Sequence, residues 1–206
     1  MAFAGKPILG IVGGIASGKS FVSKTLASLG CCVIDSDAVA HSIYRQPQVV
    51  GTLRDWYGSG VIDVNGQIDR RAIGTIVFRD PEQRKRLEDL VHPLIHADRD
   101  ATMKHHASDP TIRAYVWDSP LLIEAKLHLD CDAILFVDTP HKIRLERVRQ
   151  SRGWDAAELD RRERNQLPLD AKRALATDIV DGTSEESALR DRLDAIIIRL
   201  ERQTRH

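Results

Sequence analysis

Features that would assign a chain to a membrane or to nucleic acid are missing from this 206-residue sequence. No apolar run approaches the roughly 18 residues that a membrane-spanning helix requires. Lysine plus arginine equals aspartate plus glutamate at 30 each, so there is no net charge to attract nucleic acid. We therefore expect no membrane and no nucleic acid as a partner.

Cysteine is also scarce. Cys31, Cys32 and Cys131 form no C-x-x-C pair, and an odd number of cysteines does not suit a disulfide framework. The segment 1–7 is short, and the apolar stretch after it is soon broken by glycines, so it resembles neither a secretory nor a transit peptide. We expect reduced, packed thiols and a cytoplasmic location.

Short β-branched or apolar runs, typical of strands buried on both faces of a parallel sheet, recur along the chain. They are Ile8–Val12, Val33–Ile34, Ala114–Trp117 and Ala133–Val137, with a weaker fifth run at Ile179–Val180. The second, third and fourth runs lead directly into Asp35, Asp118 and Asp138. We predict a three-layer α/β fold with five parallel strands in the order 2-3-1-4-5.

Two stretches are longer than a connection between strands requires. Residues 43–111 have a helical pattern, with Asp69 and Asp80 at positions typical of helix N-caps. Residues 141–172 carry many arginines, which suits either a solvated helix face or a mobile basic cover. We predict a single domain over residues 1–206 that contains both insertions, with a core made of residues 1–42, 112–140 and 173–206.

The strongest motif is G-x-x-x-x-G-K-[ST], placed between the first strand and the helical pattern that begins at Lys19. It consists of Gly13, Gly14, Ile15, Ala16, Ser17, Gly18, Lys19 and Ser20, and Phe21 follows it. Glycines let successive backbone N–H groups converge on one oxyanion, and a helix N-terminus adds partial positive charge there. We predict that this loop binds ATP, with Lys19 between the β- and γ-phosphates and the Ser20 hydroxyl on Mg²⁺.

The motif is shared by switch GTPases, motor ATPases and small-molecule kinases. The sequence has no N-K-x-D motif for guanine, and its D-x-x-G at Asp55–Gly58 falls in a helical pattern and not after a strand. Asp118 is followed by Ser119 and Pro120, where a motor ATPase has an acidic residue that polarises water. A kinase needs an acceptor-binding region and a basic cover, and the two insertions have that character.

Carboxylates follow two neighbouring strands of the predicted sheet. Asp35 and Asp37 end the second run, at the edge where ligands of open α/β sheets bind. Asp37 is our candidate for the base that takes a proton from an acceptor hydroxyl. The alternative is a turn that caps a helix over Ala38–Tyr44. Asp118 is either a carboxylate that helps to hold Mg²⁺ or a simple strand-end cap.

Longer segments resemble the dephospho-CoA kinase family. They are Gly13–Ser20, Val33–His41, Gly66–Arg71, Val77-Phe78, Leu87-Glu88 with His92–Ile95, and Pro120–Glu124. Together they cover most of residues 8–182. The resemblance implies ATP-dependent phosphorylation of the ribose 3′-hydroxyl of dephospho-CoA, the last step of coenzyme A biosynthesis.

The resemblance also implies a role for particular residues. Asp37 corresponds to the catalytic base, residues 43–111 to the region that binds coenzyme A, and residues 141–172 to the lid. The arginine that meets the transferring phosphate is one of Arg152, Arg149 and Arg147. The matching segments imply that the acceptor is bound by Asp35, Asp37, His41, Arg70, His92, Pro120 and Leu121.

The sequence departs from the family pattern at several positions. Phe21 stands where threonine is usual, so a hydroxyl expected at the α-phosphate is missing. Gly182 stands where asparagine is usual, and Ser151 where a lid arginine is usual, with Arg152 beside it. Another small-molecule kinase, acting on a nucleoside or nucleotide, and a regulatory protein that hydrolyses ATP are the alternative functions. We expect a monomer.

Overall fold

A five-stranded parallel sheet is the centre of the structure, a computed structural model that describes residues 2–204. Its strands are β1 (Ile8–Gly13), β2 (Cys31–Asp35), β3 (Ala114–Asp118), β4 (Ala133–Asp138) and β5 (Asp178–Asp181). Every neighbouring pair runs parallel, in the order β2-β3-β1-β4-β5. The predicted fold class, strand number and strand order are confirmed, including the weakly indicated fifth strand.

The chain divides into two compact units. The sheet unit comprises residues up to 35 and from 105 onward, and the helical unit comprises residues 36–104. The helical unit overlaps the insertion predicted at 43–111, but it begins at 36 and ends at 104. The shift arises because the helix that directly follows β2 is grouped with the later helices.

Helices surround the sheet within the sheet unit. They are α1 (Lys19–Ser28), α6 (His141–Arg152), α7 (Ala156–Glu163), α8 (Leu169–Ala174) and α9 (Glu186–Thr204). Leu9 and Ile11 of β1 pack in one buried cluster with Leu26 of α1 and Leu193 of α9. Each such side chain stabilises the fold by about 1.5–3 kcal/mol through burial. This cluster fixes where α1, and the loop that precedes it, lie on the sheet.

The helical unit has an apolar core of its own. Its helices are α2 (Ser36–Ile43), α3 (Pro47–Tyr57), α4 (Arg70–Arg79) and α5 (Pro81–His105). The buried residues of this core are Ile43, Val49, Leu53, Val61, Ile68, Ile73, Leu87 and Val91. The Asp69 carboxylate accepts from the backbone N–H of Arg71 at 2.8 Å, and that of Asp80 accepts from Glu82 at 2.9 Å. Both predicted N-caps are therefore confirmed.

The cysteines are free thiols. Burial raises the pKa of Cys31 to about 12, so this thiol stays protonated at neutral pH. Within residues 2–204, no helix is both long enough and apolar enough to cross a bilayer.

Candidate active site

The phosphate-binding motif forms the turn between β1 and α1. Gly18 precedes the helix with a φ of 100°, and Ala16 has a φ of 59°, a conformation that costs a non-glycine residue about 1–2 kcal/mol. The Nζ atom of Lys19 lies 3.3 Å from the carbonyl oxygens of Gly13 and Gly14. The ammonium group is therefore held at the loop.

The ends of β4 and β5 support the loop. The Thr139 hydroxyl donates to the carbonyl oxygen of Ser17 at 2.7 Å, and the Gly182 N–H donates to the carbonyl oxygen of Asp138 at 2.7 Å. A Cβ atom on Gly182 would collide with the Ser17 carbonyl oxygen and the Thr139 hydroxyl. Glycine is required where backbones approach this closely. The departure from asparagine at Gly182 therefore matches the local packing.

One of the predicted lid arginines contacts the loop. The Arg147 guanidinium, on α6, donates to the carbonyl oxygens of Ala16 at 3.1 Å and Gly182 at 2.9 Å. Arg152 instead lies over the Trp154 ring, 4.7 Å from its centroid. Of the three candidate arginines, Arg147 is the one with a hydrogen bond to the loop among the described residues 2–204, and Arg149 is exposed on α6.

Sequence reasoning missed two further residues at the loop. Arg144, only 3% exposed, donates to the Thr139 carbonyl oxygen at 3.1 Å and forms an ion pair with Glu163. Glu163 accepts from the backbone N–H of Ile15 at 3.1 Å. Arg144 and Arg147 are three apart on α6 and so share a face, but Arg149 and Arg152 have the same spacing, so the sequence alone does not select Arg144.

Oxygen-bearing side chains gather at the carboxyl ends of β2 and β3. Asp35 and Asp118 are partners in register. The buried hydroxyl of Ser23, on α1, donates to Oδ2 of Asp118 at 2.7 Å. Ser20 is exposed one turn earlier on the same helix. Hydroxyl and carboxylate oxygens are ligands that suit Mg²⁺, so the residues predicted to hold this ion fit it chemically.

The segment that carries Pro120 and Leu121 is held to α8 by an ion pair and a hydrogen bond from Lys172. Lys172, 1% exposed, has its Nζ atom 3.0 Å from Oε1 of Glu124 and 3.4 Å from the Pro120 carbonyl oxygen. Burial acts to raise the pKa of Glu124, but hydrogen bonds from the Leu167 N–H and from Lys172 outweigh it and hold this pKa below its ordinary value. Leu121 itself is 43% exposed.

Other predicted residues lie in the helical unit. Asp37 is in the first turn of α2, where the helix N-terminus favours a carboxylate. In the last turn, Nδ1 of His41 lies 3.4 Å from Nη1 of Arg70, whose guanidinium is 5.7 Å from the centroid of the Tyr44 ring. The structure thus brings His41 and Arg70 together. His92 is exposed on α5.

A phosphate-binding loop at the end of the central strand of a 2-3-1-4-5 parallel sheet defines a P-loop kinase fold. The sequence model of the Dephospho-CoA kinase family matches residues 7–187. The chain belongs to the dephospho-CoA kinase family, and it is therefore a kinase.

Individual relatives agree with this assignment. The dephospho-CoA kinase of Deinococcus radiodurans is 36% identical over 196 residues, which are 94% of this chain and 92% of that protein. A crystal structure of TT1252 from Thermus thermophilus has a TM-score of 0.79 and 33% identity, covering 95% of this chain and 98% of that one. The dephospho-CoA kinase structure from Campylobacter jejuni, with a TM-score of 0.61, 24% identity and coverage of 95% and 98%, supports the fold.

Proposed function

We propose that the chain transfers the γ-phosphoryl group of ATP to the ribose 3′-hydroxyl of dephospho-CoA, giving coenzyme A and ADP. The observation that carries this proposal is membership of the dephospho-CoA kinase family across residues 7–187. The lysine-bearing loop at the end of β1 provides the groups that the nucleotide needs. ATP is then the phosphoryl donor and dephospho-CoA the acceptor.

Enzymes of this class mainly position the reactants and neutralise charge. Lys19 supplies positive charge between the β- and γ-phosphates, and the backbone N–H groups of Gly13–Ser20 bind their oxygens. Arg147, already in contact with the Ala16 carbonyl oxygen at 3.1 Å, is the lid arginine best placed to meet a phosphate on this loop. Arg152, whose guanidinium lies over Trp154, and Arg149 are the alternatives.

Magnesium is proposed as the accompanying ion. The Ser20 hydroxyl would ligate it, and Asp118, oriented by Ser23 at 2.7 Å, would help to hold it. The bound ion would neutralise charge on the phosphate oxygens. The Phe21 side chain offers no hydroxyl to the nucleotide at the next position, so the loop amides carry more of the binding.

The acceptor side rests on the helical region 43–111 and on the segment that follows β3. Asp37 accepts the proton of the 3′-hydroxyl, because a positioned carboxylate is suited to this step. The His41 and Arg70 pair offers nitrogen donors for an anionic acceptor, since guanidinium groups bind phosphate oxygens through two hydrogen bonds. Asp35, His92, Pro120 and Leu121 complete the proposed acceptor contacts.

An acceptor panel tests this function. ADP formation is measured with dephospho-CoA, with adenosine, with AMP and with no acceptor, each with ATP and Mg²⁺. We expect ADP formation to depend on dephospho-CoA. Stimulation by adenosine or AMP instead would indicate a nucleoside or nucleotide kinase, and an equal rate without acceptor would indicate a regulatory ATPase.

Size-exclusion chromatography with light scattering tests the predicted monomer, and cell fractionation tests the predicted cytoplasmic location.

A further inference from the structure

A carboxylate of the chain lies on the phosphate-binding loop. Oε1 of Glu163, the last residue of α7, accepts a hydrogen bond from the backbone N–H of Ile15 at 3.1 Å. The same oxygen forms an ion pair with Arg144, and the two side chains are only 19% and 4% exposed. Backbone N–H groups of such a loop are the donors that bind phosphate oxygens. Glu163 thus places a negative charge on one of these donors.

The glycine that follows the first glycine of the motif makes room for this ion pair. A Cβ atom on Gly14 would lie 2.8 Å from Nη1 of Arg144 and 3.1 Å from Oε1 of Glu163. The G-x-x-x-x-G-K-[ST] pattern places no requirement on this position. The Arg144–Glu163 pair therefore gives a local reason for glycine here, and it indicates that the contact is part of the packed loop and not a chance approach of two surface side chains.

Two other cations of the site also contact the loop backbone. Lys19 lies 3.3 Å from the carbonyl oxygens of Gly13 and Gly14, and Arg147 donates to that of Ala16 at 3.1 Å. The loop carbonyl oxygens therefore accept hydrogen bonds from these cationic groups, while the Glu163 carboxylate accepts one from a loop N–H. A triphosphate is an anion that would require the same amide and the same cations. Its charge also repels a carboxylate at this place.

We propose that Glu163 is an internal competitor of the nucleotide phosphates and so sets the nucleotide affinity of this chain. Its carboxylate holds the Ile15 amide and Arg144 while the loop is empty, and it releases both when the triphosphate enters. The inference rests on the proposed function only in that the loop binds ATP. Because part of the binding free energy is used to displace Glu163, the observed affinity is lower than the loop alone would give.

A purely structural role for Glu163 makes the opposite prediction. If the carboxylate only supports the loop in a shape that binds nucleotide, its removal must loosen the loop and weaken nucleotide binding. If the carboxylate competes with phosphate, its removal must tighten binding. The direction of the change in affinity therefore separates the two roles.

Isothermal titration calorimetry of Glu163→Gln with ADP and with ATP, in the presence of Mg²⁺, tests the proposal. We expect dissociation constants about 5- to 30-fold lower than in the wild type, the range of a modest coupling between two sites. Glu158→Gln is the matched control, since Glu158 lies on the same helix but pairs with Arg161 at 2.8 Å and Arg162 at 2.6 Å. Its nucleotide affinity should equal that of the wild type.

Glu163→Asp guards against loss of folding, because Glu163→Gln leaves the buried Arg144 without its counter-charge. Aspartate keeps the charge near Arg144 but is too short to hold the Ile15 amide as well, so a smaller gain in affinity is expected. Melting temperatures without nucleotide identify the folded variants. A folded Glu163→Gln or Glu163→Asp variant that binds ADP as weakly as the wild type, or more weakly, overturns the inference. A wild type that binds no ATP overturns the proposed function instead.

Discussion

The sheet unit and the helical unit differ in how closely other atoms approach the backbone at their glycines. In the sheet unit, a Cβ atom on Gly13 or Gly14 would lie 2.7 or 2.8 Å from another side chain, and on Gly182 it would overlap a backbone oxygen. In the helical unit, apart from the chain neighbours and the backbone of the helix itself, no described atom lies within 4 Å of the Cβ position at Gly51 or Gly74. Both units have an apolar core, but close approaches to glycine occur around the phosphate-binding loop of the sheet unit and not at these two glycines of the helical unit.

Replacing the loop lysine should have the largest effect, and it tests the sheet unit at its phosphate-binding loop. For Lys19→Met we expect transfer activity to fall by about 10³-fold or more, because charge neutralisation of the phosphates is lost. Folding should be retained, since the Lys19 ammonium contacts loop carbonyls and Lys19 is not one of the buried residues of the apolar cluster. Turnover with dephospho-CoA and circular dichroism check the two expectations. Near-native turnover would remove Lys19 from the mechanism.

Asp37→Asn tests the proposed base in the helical unit. We expect kcat to fall by about 10²- to 10⁴-fold, the usual contribution of a positioned acid or base, with ATP affinity little changed. Steady-state kinetics and nucleotide titration measure both quantities. Asp55→Asn, on the exposed surface of α3, is the control and should keep wild-type kcat. A folded Asp37→Asn with normal kcat would reject the base assignment.

Glu124→Gln tests how strongly the polar anchor at α8 stabilises the sheet unit. We expect a loss of about 2–4 kcal/mol in unfolding free energy, because Lys172, at 1% exposure, loses its counter-charge. The pKa of Glu124 is lowered in the folded chain, so its stabilisation is present above the ordinary value of 4.5 and is lost as pH falls through the folded pKa. Urea unfolding at several pH values checks this.

The pH dependence is judged from the difference in unfolding free energy between the wild type and Glu124→Gln. This difference should be largest at neutral pH and should shrink on acidification below about pH 4.5. A difference that grows on acidification would show that the carboxylate is not stabilised in its charged form.

Alanine substitution of glycines compares the two units most directly, with the smallest effects. Gly182→Ala should cost about 1–3 kcal/mol, because the added methyl overlaps the Ser17 carbonyl oxygen. Gly51→Ala, inside α3 with open space, should stabilise by about 0.5–1 kcal/mol through lower chain entropy and better helix propensity. Chemical denaturation measures both. Equal changes in unfolding free energy for Gly182→Ala and Gly51→Ala would show that the two units do not differ in this way.

Local pattern made much of the fold predictable. The strands, the loop after β1 and the caps Asp69 and Asp80 follow from short-range rules of periodicity and capping, whereas the strand order depends on pairing between distant segments. The contact of Glu163 with Ile15 joins residues far apart in the chain, and no local rule indicates it. Gly182 likewise reads as a departure from a pattern until the neighbouring backbone is seen.

The site of phosphorylation is the most direct test of the central claim. The enzyme is incubated with ATP, Mg²⁺ and dephospho-CoA, and the product is examined by phosphorus NMR with coupling to the ribose protons. We predict a new phosphomonoester coupled to the 3′ proton, formed together with ADP. A phosphoryl group on another position, or release of inorganic phosphate alone, would contradict the account.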